Sequence, residues 1–276
     1  LGEENSQTPD QQRAMASYLR ELDPYDHHIV IQTFPDEQNK VYTPLLGDQS
    51  ELTGVALQND WRVVHRQTLK WLRASSASGK PWVVCNDEQN HWTTGTPPDP
   101  GYDGYDGTDR EGNVVHTVHD IRKHVLWGNL MAGGGGVEHY FGWELPQSDL
   151  LAEDWRSRAM TWNFGKIALA FFHDNEIPFW EMTNRNDLIG ASDDAKTQYC
   201  LARTGGPYLV YTHGGTPMKL DLSSERGAFR VEWFNPRTGG ELARGSVNRI
   251  RAGSVVSLGA PPSDADEDWL AIVRRK

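Results

Sequence analysis

Helical and β-strand patterns alternate along the chain up to about residue 185, and this alternation limits the fold more than any other feature of the sequence. Thr8, Pro9 and Gln11 form a capping box with proline in the first turn, which predicts a helix over 8–22. Strand-like runs follow at 28–34, 54–58, 80–85 and 137–143, separated by helical patterns over 64–79, 121–130 and 155–172. The alternation predicts an α/β fold with a parallel sheet and right-handed crossovers.

The number of repeated units suggests part of a barrel. A further strand is expected to end at Glu3 and Glu4, which gives five strands and four helices. In a (β/α)8 TIM barrel, residues 1–188 would be the second half, from strand four to helix eight. Half a barrel leaves unpaired strand edges and half of an apolar interior. We therefore expect the missing N-terminal barrel segment to come from upstream residues or from a second polypeptide.

The pattern changes after about residue 188. Short alternating segments are separated by turns rich in glycine, proline and asparagine, and they lie at 208–211, 219–222, 229–234, 241–243, 254–258 and 269–273. These segments predict a small antiparallel β-sandwich over 189–276, appended to the α/β part.

Composition narrows the classes of partner. The formal net charge of -11 and the pI near 5.3 argue against nucleic acid, and no apolar run is long enough for a membrane span. The two cysteines, Cys85 and Cys200, do not indicate a disulfide framework. Eleven tryptophans would suit stacking on sugar rings, although tryptophan also fills cores. The chain begins at Leu1, so we expect that something upstream has been removed.

Two pairs of adjacent carboxylate residues lie where predicted strands end and loops begin. Glu3 and Glu4 open the chain, and Asp87 and Glu88 follow the run Val83–Cys85. Carboxylates brought together at one end of a parallel sheet can split a glycosidic bond, one donating a proton and the other attacking or activating water. The alternative is that either pair caps a helix or lies solvated on a loop.

Several segments resemble a known family. The stretches at 1–5, 22–25, 79–88 and 130–142 resemble bacterial secreted proteins with a glycosidase-like (β/α)8 barrel, among them apiosidase-like glycoside hydrolases. The stretch Val-Glu-Trp-Phe-Asn-Pro-Arg-Thr-Gly-Gly at 231–240, with Pro261, Pro262, Asp268 and Trp269, resembles the β domain that is named for collagen binding. The resemblance implies a secreted or periplasmic protein that acts on a polysaccharide or oligosaccharide.

In such retaining enzymes the acid/base ends strand four and the nucleophile ends strand seven. The resemblance therefore implies Glu4, or its neighbour Glu3, as acid/base and Glu88 as nucleophile. Consecutive residues at a strand end point to opposite sides, so only one carboxylate of each pair can face the sugar. Glu88 is preferred over Asp87 for its reach. No cofactor is expected.

A second set of residues is expected to contact substrate at the same rim. These residues end or follow the predicted strands: Gln32, Gln58, Asn59, Asp87, His91, Trp92 and Trp143. Turn formation explains the asparagine equally well, and each aromatic residue could simply pack in the core.

Two other patterns have weaker chemical meaning. His116, His119, Asp120 and His124 could place two imidazoles on one helix face, but no third zinc ligand has convincing spacing. The acidic loop 99–109 lacks the register of a calcium hand and is expected to form a lid. The rival hypothesis to hydrolysis is a non-catalytic extracellular protein that binds collagen or glycan through the β domain.

Overall fold

The computed structural model describes residues 6–90, 93–109, 111–113, 115–144, 147 and 154–276. The helices are α1 (Pro9–Leu22), α2 (Gln38–Tyr42), α3 (Val64–Ala77), α4 (Val118–Asp120), α5 (Trp127–Ala132) and α6 (Ala159–Asp174), with a π-helical stretch over Ile121–Leu126 between α4 and α5. The strands are β1 (Val30–Thr33), β2 (Gly54–Asp60), β3 (Val83–Asn90), β4 (Gly136–Val137), β5 (Thr183–Asn184), β6 (Gln198–Ala202), β7 (Tyr208–Thr212), β8 (Met218–Asp221), β9 (Ala228–Phe234), β10 (Arg249–Arg251), β11 (Val255–Gly259) and β12 (Trp269–Arg275). None of the helices in these residues has the length and apolar character that crossing a bilayer requires.

The predicted parallel sheet is present. Strands β1 to β4 lie side by side in chain order, and each neighbouring pair is parallel. The strand expected to end at Glu3 and Glu4 lies outside the described residues. The chain thus has the mixed α/β fold that the alternation of helices and strands predicts.

Two strand boundaries differ from the sequence prediction. Strand β3 continues through polar residues to Asn90, because the ladder with β2 extends to Asp60. The strand expected over 137–143 ends at Val137 instead. Beyond it, the side chain of Gln89 takes the place of a neighbouring strand: its Nε2 donates to Glu138 O, and its Oε1 accepts from Tyr140 N at 3.3 Å.

The two faces of the parallel sheet are packed very differently. One face is covered by helices, and its side chains Ile31, Val55, Leu57 and Val84 are at most 1% exposed. On the opposite face, Val30 is 41% and Val83 is 38% exposed. Because residues paired in a parallel ladder point to the same side, the second face also carries Gln32, Ala56 and Cys85. We call this second side of the sheet the open face.

The C-terminal part forms a six-stranded sheet, in the order β10-β9-β12-β7-β6-β5, and a two-stranded sheet of β11 and β8. The pairs within both sheets are antiparallel, as predicted. Residues 241–243 do not form the expected strand, since only an isolated bridge joins Ala243 to Trp233. Strands β5, β6 and β10 were not predicted, and β5 shows that antiparallel pairing begins before residue 189.

Both sides of the six-stranded sheet are buried. One side packs on α5 and α6 through a shared core that includes Trp127, Phe171, Tyr211 and Phe234. The other side packs on β8 and β11 around Trp233. This sheet is therefore built into the α/β part rather than attached to it through a linker.

A buried ion pair connects the two parts. The Arg122 guanidinium, in the π-helical stretch, donates two hydrogen bonds of 3.0 and 2.7 Å to the carboxylate of Asp268, which directly precedes β12. Both side chains are at most 1% exposed. The Tyr211 hydroxyl also donates to this carboxylate, at 2.8 Å. Such a network fixes the relative orientation of the elements that it joins.

Candidate active site

A β-bulge determines which carboxylate of β3 shares a face with the polar ends of β1 and β2. The β2–β3 register is regular up to the pair Leu57 and Asn86, but the next pair is Gln58 and Glu88. Asp87 is thus the extra residue of a bulge, a feature that re-aims side chains beside many active sites. Since Gln58 belongs to the same face as Ala56, the slip brings Glu88 onto the open face.

Asp87 occupies an unusual environment next to Glu88. Burial raises the pKa of its carboxyl to about 7, and the nearby charges of Glu138 and Glu88 act in the same direction. Backbone N–H groups of Asp87 and Glu88 offset part of this rise. Its Oδ1 is buried and has no hydrogen-bond partner among the described residues. Near neutrality this group can hold a proton and donate it in a hydrogen bond.

The amide side chains that are expected to contact the substrate lie on two different faces of the parallel sheet. Gln32 and Gln58 belong to the open face, where Gln32 is half-buried and Gln58 is 3% exposed. Asn59 belongs to the helix-covered face, and its Oδ1 accepts from Gln38 Nε2 at 3.1 Å. Gln38 in turn accepts from Trp71 Nε1 at 3.0 Å. The structure therefore places Asn59 in the packing between the sheet and α2 and α3, away from Glu88.

Two loops beyond the carboxyl ends of β3 and β4 are held together closely. Thr96 N donates to Tyr140 O at 2.6 Å, and Trp143 N donates to Thr93 O at 2.9 Å. A Cβ added to Gly95 would lie 2.4 Å from Gly142 N. Trp143 is 41% exposed at this rim. The loops therefore form one rigid wall at the end of the sheet that carries Glu88.

Glu138 is a further acidic residue at this rim, which the sequence analysis did not single out. It directly follows β4, its backbone N–H donates to Asn86 O at 2.9 Å, and its charge contributes to the raised pKa of Asp87. The sequence signal for Glu138 is its position directly after the glycine-rich turn 133–136 and Val137. Assigning 137–143 to one long strand concealed it.

Other expected site residues cannot be placed. Glu3, Glu4, His91 and Trp92 lie outside the described residues. The structure therefore brings together Glu88, Asp87, Gln58 and Gln32 at one end of the sheet, with Trp143 on the adjoining wall.

The histidines weighed as zinc ligands have other partners. His116 Nε2 lies 2.5 Å from Gly95 O, His119 Nδ1 lies 2.7 Å from Arg122 Nη1, and the ring of His124 contacts Trp61 and His213. Asp120 forms a capping box with Thr117. Over the described ranges, no three His, Cys, Asp or Glu side chains form a group that could hold a metal ion.

The acidic loop expected to form a lid is anchored at its first residue. Asp99 N donates to Ser157 O at 2.7 Å, and Asp99 Oδ2 accepts from Met160 N at 2.9 Å. Tyr102 also donates to Asp154 Oδ2, at 3.3 Å. These contacts attach the loop to the start of α6.

Comparisons with known proteins found a family that is similar to the C-terminal part of the chain. Residues 185–274 match the family model described as "Putative collagen-binding domain of a collagenase", in agreement with the resemblance of the tail. A comparison with curated proteins gave no match.

Solved structures are similar over almost the whole chain. A glycoside hydrolase family 5 structure from Bacteroides vulgatus ATCC 8482 has a TM-score of 0.67 and 17% identity, over 95% of this chain and 58% of that chain. A structure named "Glycoside hydrolase" has a TM-score of 0.67 and 14% identity, over 95% and 60%. An Anoxybacillus α-amylase has a TM-score of 0.55 and 12% identity, over 98% and 57%.

At these identities the similarity concerns the fold. The chain spans 57% to 60% of the length of these three structures. It has a glycoside hydrolase-like α/β fold, followed by a C-terminal region similar to the collagen-binding domain family.

Proposed function

We propose that the chain belongs to a glycoside hydrolase that cleaves a polysaccharide or oligosaccharide by a two-carboxylate retaining mechanism. The observation that supports this most strongly is the bulge at Asp87, which brings Glu88 to the same face and the same end of the sheet as Gln58. Active sites of barrel enzymes lie at the carboxyl ends of the strands. The likeness in fold to glycoside hydrolases points to the same chemistry.

In the proposed reaction Glu88 is the nucleophile and Glu4 the acid/base. The Glu88 carboxylate attacks the anomeric carbon while Glu4 protonates the departing glycosidic oxygen, and a glycosyl ester of Glu88 forms. Glu4 then takes a proton from water, which attacks the ester and releases Glu88. Asp87, with its raised pKa, would donate a hydrogen bond to a sugar hydroxyl.

The proposed architecture follows the sequence analysis. Residues 1–188 would be the second half of a (β/α)8 barrel, from strand four to helix eight, and residues 189–276 a β-sandwich. Activity then requires strands from upstream residues or from a second chain. An extracellular or periplasmic location and an apiosidase-like subtype belong to the same proposal.

A substitution series on the assembled protein tests the mechanism. Glu88→Gln keeps the size of the side chain but removes its negative charge and its nucleophilic oxygen, so kcat on aryl glycosides of pentoses and hexoses should fall by at least about 10³-fold. The unfolding temperature should stay unchanged. Glu241→Gln, on the exposed surface of the C-terminal part, is the matched control. Undiminished turnover by Glu88→Gln would remove this residue from the mechanism.

Adhesion through the β domain is the second candidate, supported by the family match of residues 185–274. Both sides of its main sheet are buried, so a ligand would have to bind its loops or edges. The intact chain should be applied to collagen and to glycan arrays, because an isolated segment 190–276 would expose Leu209, Tyr211 and Phe234. Binding to collagen without hydrolysis of any glycoside would favour adhesion.

A further inference from the structure

A cleft rich in arginine lies where the C-terminal end of α6 meets the six-stranded sheet. It has a volume of about 620 Å³, and its lining includes Asn175, Glu176, Arg203, Arg274 and Arg275. We call it the arginine cleft. Its lining carries three guanidinium groups and one carboxylate, although the chain as a whole has a formal net charge of -11. A local excess of positive charge on an acidic protein favours an anionic ligand.

Two of the three guanidinium groups are held in place by carboxylates at the border of the cleft. Arg203 Nη1 donates to Glu181 Oε2, and Arg275 Nη2 donates to Glu225 Oε2 at 2.6 Å. A guanidinium group carries five N–H donors, so a carboxylate on one side leaves donors for a ligand on the other. These pairs orient the arginines without using all of their hydrogen-bonding capacity.

Arg274 is the arginine of the cleft that has no carboxylate partner in the described part of the chain. It is half-buried, and it donates to the backbone oxygen of Asn175. The charges of Glu232 and Glu176 act on it from beyond ion-pair distance, and Glu232 is instead paired with Arg230 at 2.9 Å. Burial lowers the pKa of Arg274, so the folded chain destabilises its charge. Arginine nevertheless stays charged, and a bound oxyanion would offset this cost.

Trp180 supplies an aromatic surface beside the cleft. It lies on the short turn Phe179–Glu181, between Pro178, which lines the cleft, and Glu181, which holds Arg203. Its side chain is 82% exposed, the largest fraction among the large hydrophobic side chains of the described residues. An inorganic anion would gain nothing from this indole, whereas a sugar ring can stack on it. The cleft and Trp180 together therefore suit an anionic group that is carried by a saccharide.

The arginine cleft continues along α6 into a second cleft. The second cleft has a volume of about 530 Å³ and lies between α6 and residues 238–242, and Asn175 lines both clefts. Its polar side chains, which include Asn163, Thr238 and Glu241, offer donors and acceptors to the hydroxyl groups of neutral sugars. The two clefts together have room for several linked sugars, so a saccharide chain suits them better than a single sugar.

The arginine cleft is distant from the candidate active site. The rigid wall beside that site is joined to the start of α6, where Arg158 Nε donates to Thr96 O at 2.9 Å. The cleft lies at the other end of this helix, whose 16 residues span about 24 Å. A ligand in the arginine cleft is therefore bound away from Glu88.

We propose that the arginine cleft and Trp180 form a second, non-catalytic site that binds an acidic polysaccharide through its carboxylate or sulfate groups. The oxyanion accepts hydrogen bonds from Arg274 and from the remaining donors of Arg203 and Arg275, while a sugar ring stacks on Trp180. A chain held here raises the local concentration of its other sugars at the candidate active site. This inference rests on the proposed action on a polysaccharide, and it narrows that polysaccharide to an acidic one.

Two pairs of polysaccharides test the ligand. Polygalacturonate is compared with its neutral methyl ester, and dextran sulfate is compared with dextran, by isothermal titration calorimetry with the intact chain. We expect the acidic member of at least one pair to bind at least about tenfold more tightly than its neutral counterpart, and less tightly as the ionic strength rises. The first pair identifies a carboxylate ligand and the second a sulfate ligand. Equal binding within both pairs would overturn the proposal.

Charge variants test the site. Arg274→Gln removes the unpaired charge and should weaken binding of the acidic chain at least about tenfold. Arg244→Gln is the matched control, because Arg244 is exposed and follows Ala243, which bridges the opposite end of β9. Glu176→Gln removes an exposed carboxylate from the lining and should strengthen binding severalfold, so the site can still be tested if Arg274→Gln does not fold. Unchanged binding by Glu176→Gln and by a folded Arg274→Gln would overturn the assignment of the site.

An aromatic variant tests whether the ligand is a saccharide. Trp180→Ala should weaken binding of the acidic polysaccharide at least about tenfold, whereas Tyr25→Ala, at a side chain that is 79% exposed, should not. Poly-glutamate that binds as tightly as the acidic polysaccharide, with no effect of Trp180→Ala on either, would show that the cleft takes an acidic peptide and would overturn the proposed ligand. Because binding is measured without turnover, a chain that binds the acidic polysaccharide but hydrolyses no glycoside would count only against the proposed hydrolysis.

Discussion

Glu88 lies opposite Gln58 in the ladder between β2 and β3, and the slip that creates this pair leaves Asp87 outside the register. Without the slip, Asp87 would take the position opposite Gln58. The backbone at one residue therefore selects which of two adjacent carboxylates reaches the open face. It also keeps the other carboxylate in a buried position, where its pKa is raised to about 7.

The raised pKa of Asp87 makes native stability depend on pH. The folded state holds this proton up to about pH 7, whereas the unfolded chain loses it near pH 4, so the free energy of unfolding decreases as pH rises between these values. The loss amounts to at most about 4 kcal/mol. Asp87→Asn cannot ionise and should unfold at a higher temperature than the parent at pH 8, with little difference at pH 4.5.

The control for this prediction is Asp187→Asn, since the hydrogen bonds from Arg185 lower the pKa of Asp187. This control should not gain stability at pH 8. Thermal unfolding at pH 4.5, 6 and 8 measures both variants, and a parallel pH dependence of Asp87→Asn and the parent would contradict the raised pKa.

The rigid wall beside the candidate active site depends on glycine at position 95. Gly95 has φ +55°, and a Cβ there would lie 2.4 Å from Gly142 N and 2.5 Å from Tyr140 O, both backbone atoms that cannot move independently. Gly95→Ala should therefore separate the two loops and lower the unfolding temperature. Gly112→Ala is the matched control, because Gly112 also has positive φ (+83°) but no atom of the described residues lies within 4 Å of its added Cβ.

Backbone strain alone costs about 1 kcal/mol in each of these variants. Gly95→Ala should cost at least about 2 kcal/mol more than the control, measured by urea unfolding. Equal losses in the two variants would show that the loops can move apart freely.

Sequence patterns correctly predicted those elements whose boundaries depend on interactions between neighbouring residues. The capping box at Thr8 predicted the start of α1 to within one residue, because its hydrogen bonds involve only the first turn. The helical spacing of Met15, Tyr18, Leu19 and Leu22 marks an apolar side of α1, but it does not indicate that this side faces solvent, where the four side chains are 40%, 61%, 43% and 58% exposed. Which side of a helix is covered depends on its neighbours, so spacing alone cannot reveal it.

The geometry of the candidate active site depends on pairing between residues that are far apart in the sequence. Local sequence patterns do not predict such pairing. The bulge at Asp87 exists only relative to β2, and the short β4 results from the side chain of Gln89 replacing a strand partner. The sequence offered the same reason to expect substrate contacts from Gln58 and from Asn59, since both end a predicted strand, although the two side chains belong to opposite faces of the sheet. Glu138 was missed because its relation to Asp87 crosses from one strand to the next.

The buried ion pair between Arg122 and Asp268 should make the two parts unfold together. Asp268→Asn leaves a buried guanidinium without its counter-charge, which typically costs about 3–5 kcal/mol. Tyr211→Phe removes one hydrogen bond of 2.8 Å to a charged group and should cost about 1.5–3 kcal/mol. Urea unfolding followed by tryptophan fluorescence and by far-UV circular dichroism should give coincident single transitions in the parent.

An exposed ion pair is the control for this prediction. Arg185 and Asp187 form a bridge of 2.7 Å with side chains 40% and 63% exposed, so Asp187→Asn should cost less than about 1 kcal/mol. Two separate transitions in the parent would indicate that the C-terminal sheet unfolds independently and that the ion pair does not couple the parts.

Histidines between the two parts should make the protein sensitive to acid. Burial lowers the pKa of His124 to about 4, and its Nδ1 has no hydrogen-bond partner among the described residues. The unfolded chain takes up this proton near pH 6.5, so stability is full above that pH and decreases as pH falls towards 4. His124→Phe tests this acid sensitivity, because the phenyl ring still packs against Trp61 and His213 but cannot be protonated.

The fall in unfolding temperature between pH 7 and pH 4.5 should be several degrees smaller in His124→Phe than in the parent, because each kcal/mol corresponds to about 2–4 °C in a chain of this size. His173→Phe, at a side chain that is 90% exposed, should keep the acid sensitivity of the parent. If both variants behave alike, the acid sensitivity does not originate at His124.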